Sequence, residues 1–520
     1  MLNLQNLETV KSKLDKCDVT TFKDVGTSFQ KFINKIEISK FRHIENLEID
    51  FTHPVTILSG TNKVGKTSIL LLIACSHENF RKLDSTTPET TLKIHSWNGV
   101  LRFTKYERED QNYAYKMNWR EGVNKKTGEG KRNAGQKASW TGLGKKSQEN
   151  RENAKIKKWE VRLIDLERIL PLRNFSGSLL RKSNSAKQTR LNEDVEKAFA
   201  YIFDMDSVKL YEVGSHVNKR CYLVETASSS YSSYGAASGE EAVINILKDI
   251  IEPENGTLIL IDEMEAGFHP YIQRRLANII QYISWNNKKQ FIITTHSPTL
   301  LSAFPQESRR FIERSKEGYR TIPKISKSAA FSKMDSHAYP LINLYCEDNL
   351  AKFLVTEIII RIGEGYSAFH KLINIIPSGP IAEVKNDYLR HKNNYKHMRH
   401  KIGYCCVFDG DFKNDPKYSL NHENTSDHTF FLFPYEAPEK FLIKAYLTQS
   451  PHQQLSSALA HNDHHGLFIK MVELGLAADE NDARNKCFNA FQQTLDYEML
   501  EFSLSNFLIR TVTHFSEQED

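Results

Sequence analysis

The sequence of 520 residues predicts an α/β protein whose sheets are mostly parallel. Three observations carry that expectation. Gly60-Thr-Asn-Lys-Val-Gly65-Lys66-Thr67 fits the phosphate-binding pattern G-x-x-x-x-G-K-[ST], with a strand-like run before it and an apolar helix after it. Helix and strand patterns alternate from Glu240 to Thr294. Past Pro340, two short apolar runs end in acids, at Glu347-Asp348 and at Asp409-Gly-Asp411, and a third is followed by Gly379.

The first 30 residues read as a helical lead-in, with apolar positions at Leu2, Leu4, Leu7, Val10 and Leu14. Alternation over Ile36–Phe41 and Ile44–Phe51 predicts a hairpin that feeds the strand Pro54–Ser59. Further strands are expected at Thr91–Ile94, Gly99–Phe103, Tyr113–Trp119 and Lys219–Glu225, with mixed helix from Trp159 to about Phe203. Ala227–Ser238, nearly all Ser, Tyr, Ala and Gly, reads as a loop. Then come a helix over Glu240–Ile251, a strand at Thr257–Ile261, a helix over Tyr271–Ile283 and a strand at Gln290–Thr294. A Ser/Lys-rich stretch, Arg314–Lys333, reads as a boundary before a second α/β unit near Pro340, and the chain after Phe441 reads as helical.

Composition narrows the classes. Hydrophobic residues make up 40% and charged residues 26%, as in a soluble globular protein. The longest apolar runs fall well short of the roughly 20 residues that span a bilayer. The N-terminus lacks a signal-peptide layout, so no membrane role and a cytoplasmic location are expected. Seven scattered cysteines form no disulfide framework, and Cys405-Cys406 reads as core. The net charge of +6 is concentrated: between Arg120 and Lys158 there are twelve Lys/Arg against four Asp/Glu. That insertion reads as a solvated, partly disordered segment, or as a mobile basic arm that touches phosphates without reading sequence.

The motifs specify a nucleotide site for ATP with Mg²⁺. Backbone N–H groups of the loop Gly60, Asn62, Gly65 and the following Ser68 face phosphates at a helix N-terminus. Lys66 is expected on the β- and γ-phosphates and Thr67 on Mg²⁺. The run Leu258–Ile261 delivers Asp262 to the metal and Glu263 to the attacking water. His296, after the strand Phe291–Thr294, can sense the γ-phosphate.

Ser238-Gly239-Glu240, opening a helix some twenty residues before Asp262, resembles the signature of ABC-type ATPases, in its shortened form from the SMC, RecF and OLD (overcoming lysogenization defect) branch. Ile38-Ser-Lys-Phe-Arg42 and Glu265-Ala-Gly-Phe-His269-Pro270 resemble the same branch. The resemblance implies an ABC-type ATPase domain over residues 30–312 and a dimer in which one protomer's signature closes the other's phosphate site. The gap between loop and signature has no room for SMC-type arms, and no sustained heptad pattern appears in it.

After residue 340 the layout resembles a Toprim domain: Glu347 after the first strand, glycine after the second, Asp409-x-Asp411 after the third. Acids gathered at one sheet edge suit Mg²⁺ or Mn²⁺ and two-ion phosphodiester cleavage. The resemblance implies a Toprim-like domain at 340–445, followed by a helical segment at 446–520. Phe430-Phe-Leu-Phe-Pro434 to Glu439 resembles the segment that closes such domains. Ala351 stands where OLD nucleases carry another acid, so Asp348 is an alternative ligand, with Asp415 and Glu439 as further candidates. ATPase followed by Toprim is the arrangement of OLD family nucleases, including Gabija-type and retron-associated phage-defence proteins. Two readings follow: a dimeric ATPase gating a metal-dependent nuclease that acts on DNA, or secondarily RNA; and a non-cleaving ATPase whose Toprim-like domain docks a partner nuclease or toxin, as in Septu-like and retron systems.

Overall fold

The computed structural model describes residues 2–15, 17–21, 28–82, 93–94, 112–134, 141–143, 155–169, 188–213, 221–232, 238–315, 318–334, 338–365, 369–398, 401–413, 415, 427–433, 436–461 and 466–518. The chain divides into two compact units, Met1–Ile325 and Ser326–Asp520.

In the first unit, helix α1 (Leu7–Leu14) precedes β1 (Lys31–Phe41), β2 (Ile44–Asp50), β3 (Val55–Gly60) and α2 (Lys66–Cys75). Strands β4 (His77–Lys82), β5 (Lys93–Ile94), β6 (Tyr113–Glu121), β7 (Asn124–Arg132), β8 (Thr141–Gly142) and β9 (Ile156–Ile164) follow. Next are β10 (Gln188–Arg190), α3 (Glu193–Phe203), β11 (Lys209–Val213), β12 (Cys221–Glu225), β13 (Ser230–Ser232) and α4 (Ser238–Ile251). Then come β14 (Leu258–Ile261), α5 (Pro270–Asn287), β15 (Gln290–Thr294), α6 (Pro298–Ala303), β16 (Arg309–Ser315) and β17 (Gly318–Pro323).

The main sheet runs β17-β16-β3-β15-β14-β9-β4-β5, parallel from β16 to β4 with an antiparallel strand on each edge. Its central strands β14 and β15 are buried at every position, which is why Leu258–Ile261 and Gln290–Thr294 show apolar runs without alternation. Antiparallel sheets β2-β1-β6-β7-β8 and β10-β11-β12-β13 complete the unit. The hairpin expected at 36–51 is β1–β2, paired from Lys35↔Asp50 to Phe41↔Ile44.

Three expectations are corrected. The basic segment 120–158 is not an irregular arm where it is described. Residues 124–132 are strand β7, paired with β6 along its length, and Lys125, Lys126 and Lys131 are exposed. Arg132 is the exception, buried with its guanidinium over the Tyr113 ring at 5.3 Å. Trp159 belongs to strand β9, not to a helix. Its buried positions Trp159, Val161 and Leu163 alternate with more exposed ones, and among the described residues of this stretch the α-helix is α3. Within Ala227–Ser238, residues 230–232 pair with β12 as a short strand. The stretch 314–333, expected as a boundary, contains the break between the two units at Ile325/Ser326, flanked by the β16–β17 pair, Arg310↔Pro323 to Ser315↔Gly318, and by the helix Lys327–Met334. The strand expected at Gly99–Phe103 lies outside the described residues.

The second unit runs α7 (Lys327–Met334), β18 (Ile342–Cys346), α8 (Asn349–Gly365), β19 (Ile373–Pro377), α9 (Ile381–Asn394), β20 (Gly403–Phe408) and β21 (Thr429–Phe431). Helices α10 (Pro438–Gln449), α11 (Gln453–His461), α12 (Leu467–Glu473), α13 (Glu480–Phe491) and α14 (Leu495–Glu517) follow. Its sheet, β19-β18-β20-β21, is parallel throughout, so the C-terminal ends of all its strands share one edge. The seven cysteines are buried and free. No helix among the described residues is long and apolar enough to cross a membrane.

Candidate functional site

The phosphate loop joins β3 to α2. Gly65, the N-cap, holds φ 95°, a left-handed conformation that a side chain disfavours, and this turn aims the first N–H groups of α2 into the loop. Asn62 is exposed in the loop, while Ser68 is buried on the inner face of the helix. Lys66 is buried, and its ammonium donates to the carbonyls of Gly60 (3.0 Å) and Thr61 (3.1 Å). Burial pulls its pKa down to about 8, against the opposing pull of Glu265, Asp262 and Glu263.

Parallel pairing of β3 with β15, and of β15 with β14, brings the motifs together. The Thr67 hydroxyl lies 3.0 and 3.1 Å from the two carboxylate oxygens of Asp262. Thr294 Oγ1 donates to Asp262 Oδ1 (2.6 Å) and accepts from the Glu263 N–H (2.8 Å). Glu263 itself has φ 45°, a strained conformation for a residue with a Cβ. Burial, then the neighbouring Asp262 and Glu265, raise its pKa, with Lys66 and Arg168 opposing. Glu265 accepts from Thr295 Oγ1 (2.7 Å) and from the His296 N–H (2.5 Å), which fixes the start of the segment carrying the histidine. Burial, with Lys66 nearby, lowers the His296 pKa and favours the neutral imidazole.

Arg168 is a member of this site that no motif announced. It lies in the turn Leu166–Ile169 after β9 and is buried. Its Nη1 donates to the carbonyls of Asp165 (2.8 Å) and Asp262 (2.9 Å), and Nη2 to that of Glu263 (2.6 Å). One guanidinium thus clamps the backbone of both acids. Beside it, Lys82 bridges Asp165 (2.8 Å) and Glu167 (2.9 Å) at a cavity of about 280 Å³ that Thr67 and Asp262 also line.

At the start of α4, Gly239 packs near the loop after Glu265; a Cβ there would lie 3.5 Å from the Gly267 carbonyl oxygen. Burial raises the Glu240 pKa, opposed by a hydrogen bond with Tyr231 of β13. Ser238 is the first residue of the helix. The residues present suit a nucleotide with Mg²⁺: a buried ammonium capped only by loop carbonyls, a helix N-terminus, and a Thr–Asp pair spaced for a shared cation.

The second constellation lies within the other unit. Glu347 follows β18 and accepts from the Asp409 N–H (3.1 Å) at the end of β20. Gly379 N–H donates to the Glu347 carbonyl (3.0 Å), tying the end of β19 to the same edge. Gly410 lets Asp409 and Asp411 sit against the Phe433 backbone; a Cβ at 410 would lie 1.6 Å from the Phe433 carbonyl oxygen. Burial, then repulsion from Asp411, Asp348 and Glu439, pushes the Glu347 pKa up to about 7, opposed by the bond from Asp409 N–H. Asp409 is raised well above the carboxylate range by burial, then by Glu347, Asp348, Glu439 and Asp411. Its Oδ1 is buried and meets no hydrogen-bond donor among the described residues.

Asp348, expected as an alternative ligand, also has a structural role. Its Oδ1 accepts from the N–H groups of Leu350 (2.9 Å) and Ala351 (2.8 Å), so it caps α8. Glu439, buried in the first turn of α10, joins the electrostatic cluster. Among the described residues, no three His, Cys, Asp or Glu side chains stand in ready ligand geometry.

Residues 55–302 match the family described as "AAA domain, putative AbiEii toxin, Type IV TA system". The chain is 27% identical over 300 residues to the Septu protein PtuA of Bacillus mycoides, covering 52% of this chain and 39% of that protein. It is 24% identical over 209 residues to the "Retron Vc95 probable ATPase" of Vibrio cholerae, covering 37% of this chain and 38% of that one. The aligned part thus spans about two fifths of each relative. Among solved structures, the SMC head domain from Thermotoga maritima superposes with TM-score 0.35 at 13% identity, over 56% of this chain and 98% of that one. The recombination mediator protein RecF gives 0.33 at 11%, over 57% and 99%. Residues 55–302, built on a mixed sheet, thus resemble an AAA-type ATPase domain, and the chain is similar in part to the Septu and retron relatives.

Proposed function

We propose that the chain is an ATP-gated, divalent-cation-dependent nuclease acting in defence against phage, with DNA as the first substrate class and RNA the second. The observation that carries the nuclease half is the acidic edge of the second sheet. Glu347 and Asp409 are brought together by parallel β18 and β20, and both are held far more protonated than free carboxylates. Burying mutually repelling acids costs stability unless a cation relieves it, so the arrangement favours binding of Mg²⁺ or Mn²⁺. Glu347, Asp409 and Asp411 would hold the metal, with Glu439 supporting them and Asp348 kept as a helix cap. Bound there, divalent ions supply a lowered water pKa and charge for the leaving oxygen.

In the ATPase half, Lys66 and the α2 N-terminus hold the phosphates, Thr67 and Asp262 hold Mg²⁺, and Glu263 orients the attacking water. His296 reports on the γ-phosphate through its contact segment with Glu265. Ser238, Gly239 and Glu240 of a second copy close the site, which makes nucleotide the link between two chains.

A second reading is favoured by particular observations: Asp348 serves the helix, Ala351 offers no carboxylate, and the relatives bear Septu and retron names. In it the acidic edge is a docking module, and the ATPase controls a partner nuclease or toxin. Incubation with plasmid DNA and with tRNA, with Mg²⁺ or Mn²⁺ and with or without ATP, separates the two. Cleavage that disappears in Asp409→Ala and Asp411→Ala supports the nuclease. Intact ATP hydrolysis with no cleavage of either substrate rejects it in favour of docking.

A further inference from the structure

Helix α14 is apolar on two opposite faces. One face, with Leu500, Leu504, Phe507, Leu508 and Phe515, is buried in its own unit. Phe507 lies 5.3 Å from Phe430, and Phe515 lies 5.2 Å from Tyr404. The other face presents Leu495, Met499, Phe502 and Ile509, which are 77%, 70%, 73% and 45% exposed. Their spacing of four, three and seven residues is that of a coiled-coil seam. The seam positions left over, Asn506 and Thr513, are exposed as well. From Leu495 to Ile509 the stripe is about 21 Å long at helical rise. Single exposed hydrophobics are ordinary, but a periodic stripe with a Phe at its middle marks an interaction surface.

We infer that this stripe pairs antiparallel with the same helix of a second copy of the chain, in a contact that needs no nucleotide. The charges flanking the seam choose that occupant and direction. Its N-terminal end carries exposed Asp496 and Glu498, and its last apolar turn carries exposed Arg510; exposed Glu517 lies seven residues further on, beyond the apolar stripe. Two antiparallel copies bring each acidic end to the other copy's Arg510, twice over by symmetry, and oppose the helix dipoles head to tail. Parallel copies would gather the acids at one end and the arginines at the other. The surface is therefore complementary to itself in one orientation, with Phe502 near the two-fold axis.

The test uses the full chain carrying Lys66→Ala, so that nucleotide cannot link protomers, in analytical ultracentrifugation without ATP. A dimer is expected, and Phe502→Glu should convert it to a monomer that keeps the parent's circular-dichroism spectrum. Met499→Gln with Ile509→Gln gives a milder version of the same loss. Arg510→Glu alone and Asp496→Arg alone should each weaken the dimer at least tenfold in dissociation constant, and the two together should restore it. A monomeric parent overturns the inference and leaves the stripe to a different protein. A dimer indifferent to Phe502→Glu, or charge reversals that do not rescue each other, overturns it equally. None of these outcomes bears on ATP-linked closure, because ATP is absent and Lys66→Ala weakens the binding of any carried-over nucleotide.

Discussion

Lys66 is a buried cation whose pKa of about 8 places its loss of charge within reach of ordinary buffers. Its folded value is below that of the unfolded chain, so nucleotide phosphates must hold the proton on as pH rises. ATP affinity is expected to be flat below about pH 8 and to fall above it, with proton uptake on binding; titration calorimetry in buffers of different ionisation enthalpy checks this. A flat affinity up to pH 10 would contradict the buried-ammonium picture. Lys66→Ala should weaken ATP binding about 10- to 100-fold, the worth of a charge-assisted contact. Arg168 acts through the backbone of Asp262 and Glu263 and not on substrate. Arg168→Ala should lower kcat about 100-fold through misplacement of Glu263, with KM for ATP nearly unchanged. Arg168→Lys, which keeps the charge but not the fork, should recover part of it. An equal rise in KM would instead make Arg168 a binding residue.

At the scale of elements, the edge of the β19-β18-β20-β21 sheet holds acids at an energetic cost. The folded pKa of Glu347, about 7, exceeds its unfolded value. Between the ordinary carboxylate range and about pH 7 the folded chain binds more protons than the unfolded one, so stability should fall as pH rises through that window. Divalent cations compete with those protons, and their affinity should climb over the same window. Thermal midpoints measured from pH 5 to 8, with and without Mg²⁺ (about 5–8 being the range in which globular stability is usually greatest), test both signs together. Asp409→Asn removes an acid that must take up a proton to be buried, and should stabilise the chain by about 1 kcal/mol while abolishing the shift with Mg²⁺. A destabilised Asp409→Asn would mean that the carboxylate is structural. Strand β9 shows where element reading failed. Trp159, Val161 and Leu163 alternate with period two, but the surrounding charge masked that alternation and suggested helix. Because β9 is the neighbour of β14, that misreading also hid the turn that carries Arg168.

For the whole molecule, Glu263→Gln is expected to bind ATP, lose hydrolysis by about 100-fold or more, and accumulate a nucleotide-linked dimer seen by light scattering. Hydrolysis at the parent's rate in that variant would remove Glu263 from the chemistry. The ATPase was legible in the sequence because a phosphate loop is a local device: glycines, a lysine and a helix start need only their neighbours in the chain. The same holds for Leu258–Ile261 and its two acids, since an apolar run followed by carboxylates describes a buried parallel strand wherever it lies. The acids at Glu347, Asp409 and Asp411 were legible in position for that reason, though not in environment.

Tertiary structure alone decided what contact across distant chain segments decides. It turned much of the basic stretch at 124–132 into a paired strand, because β6 was available to pair with it. It brought Arg168 onto two carbonyls some 95 residues away. It assigned Asp348 to a helix cap, and it raised Asp409 by enclosing it among other acids. Sequence by itself determined the α/β class and the residues that meet phosphate, since both follow from periodicity and short-range turn chemistry. Burial, long-range pairing and mutual repulsion depend on which segments become neighbours, and only the fold sets those.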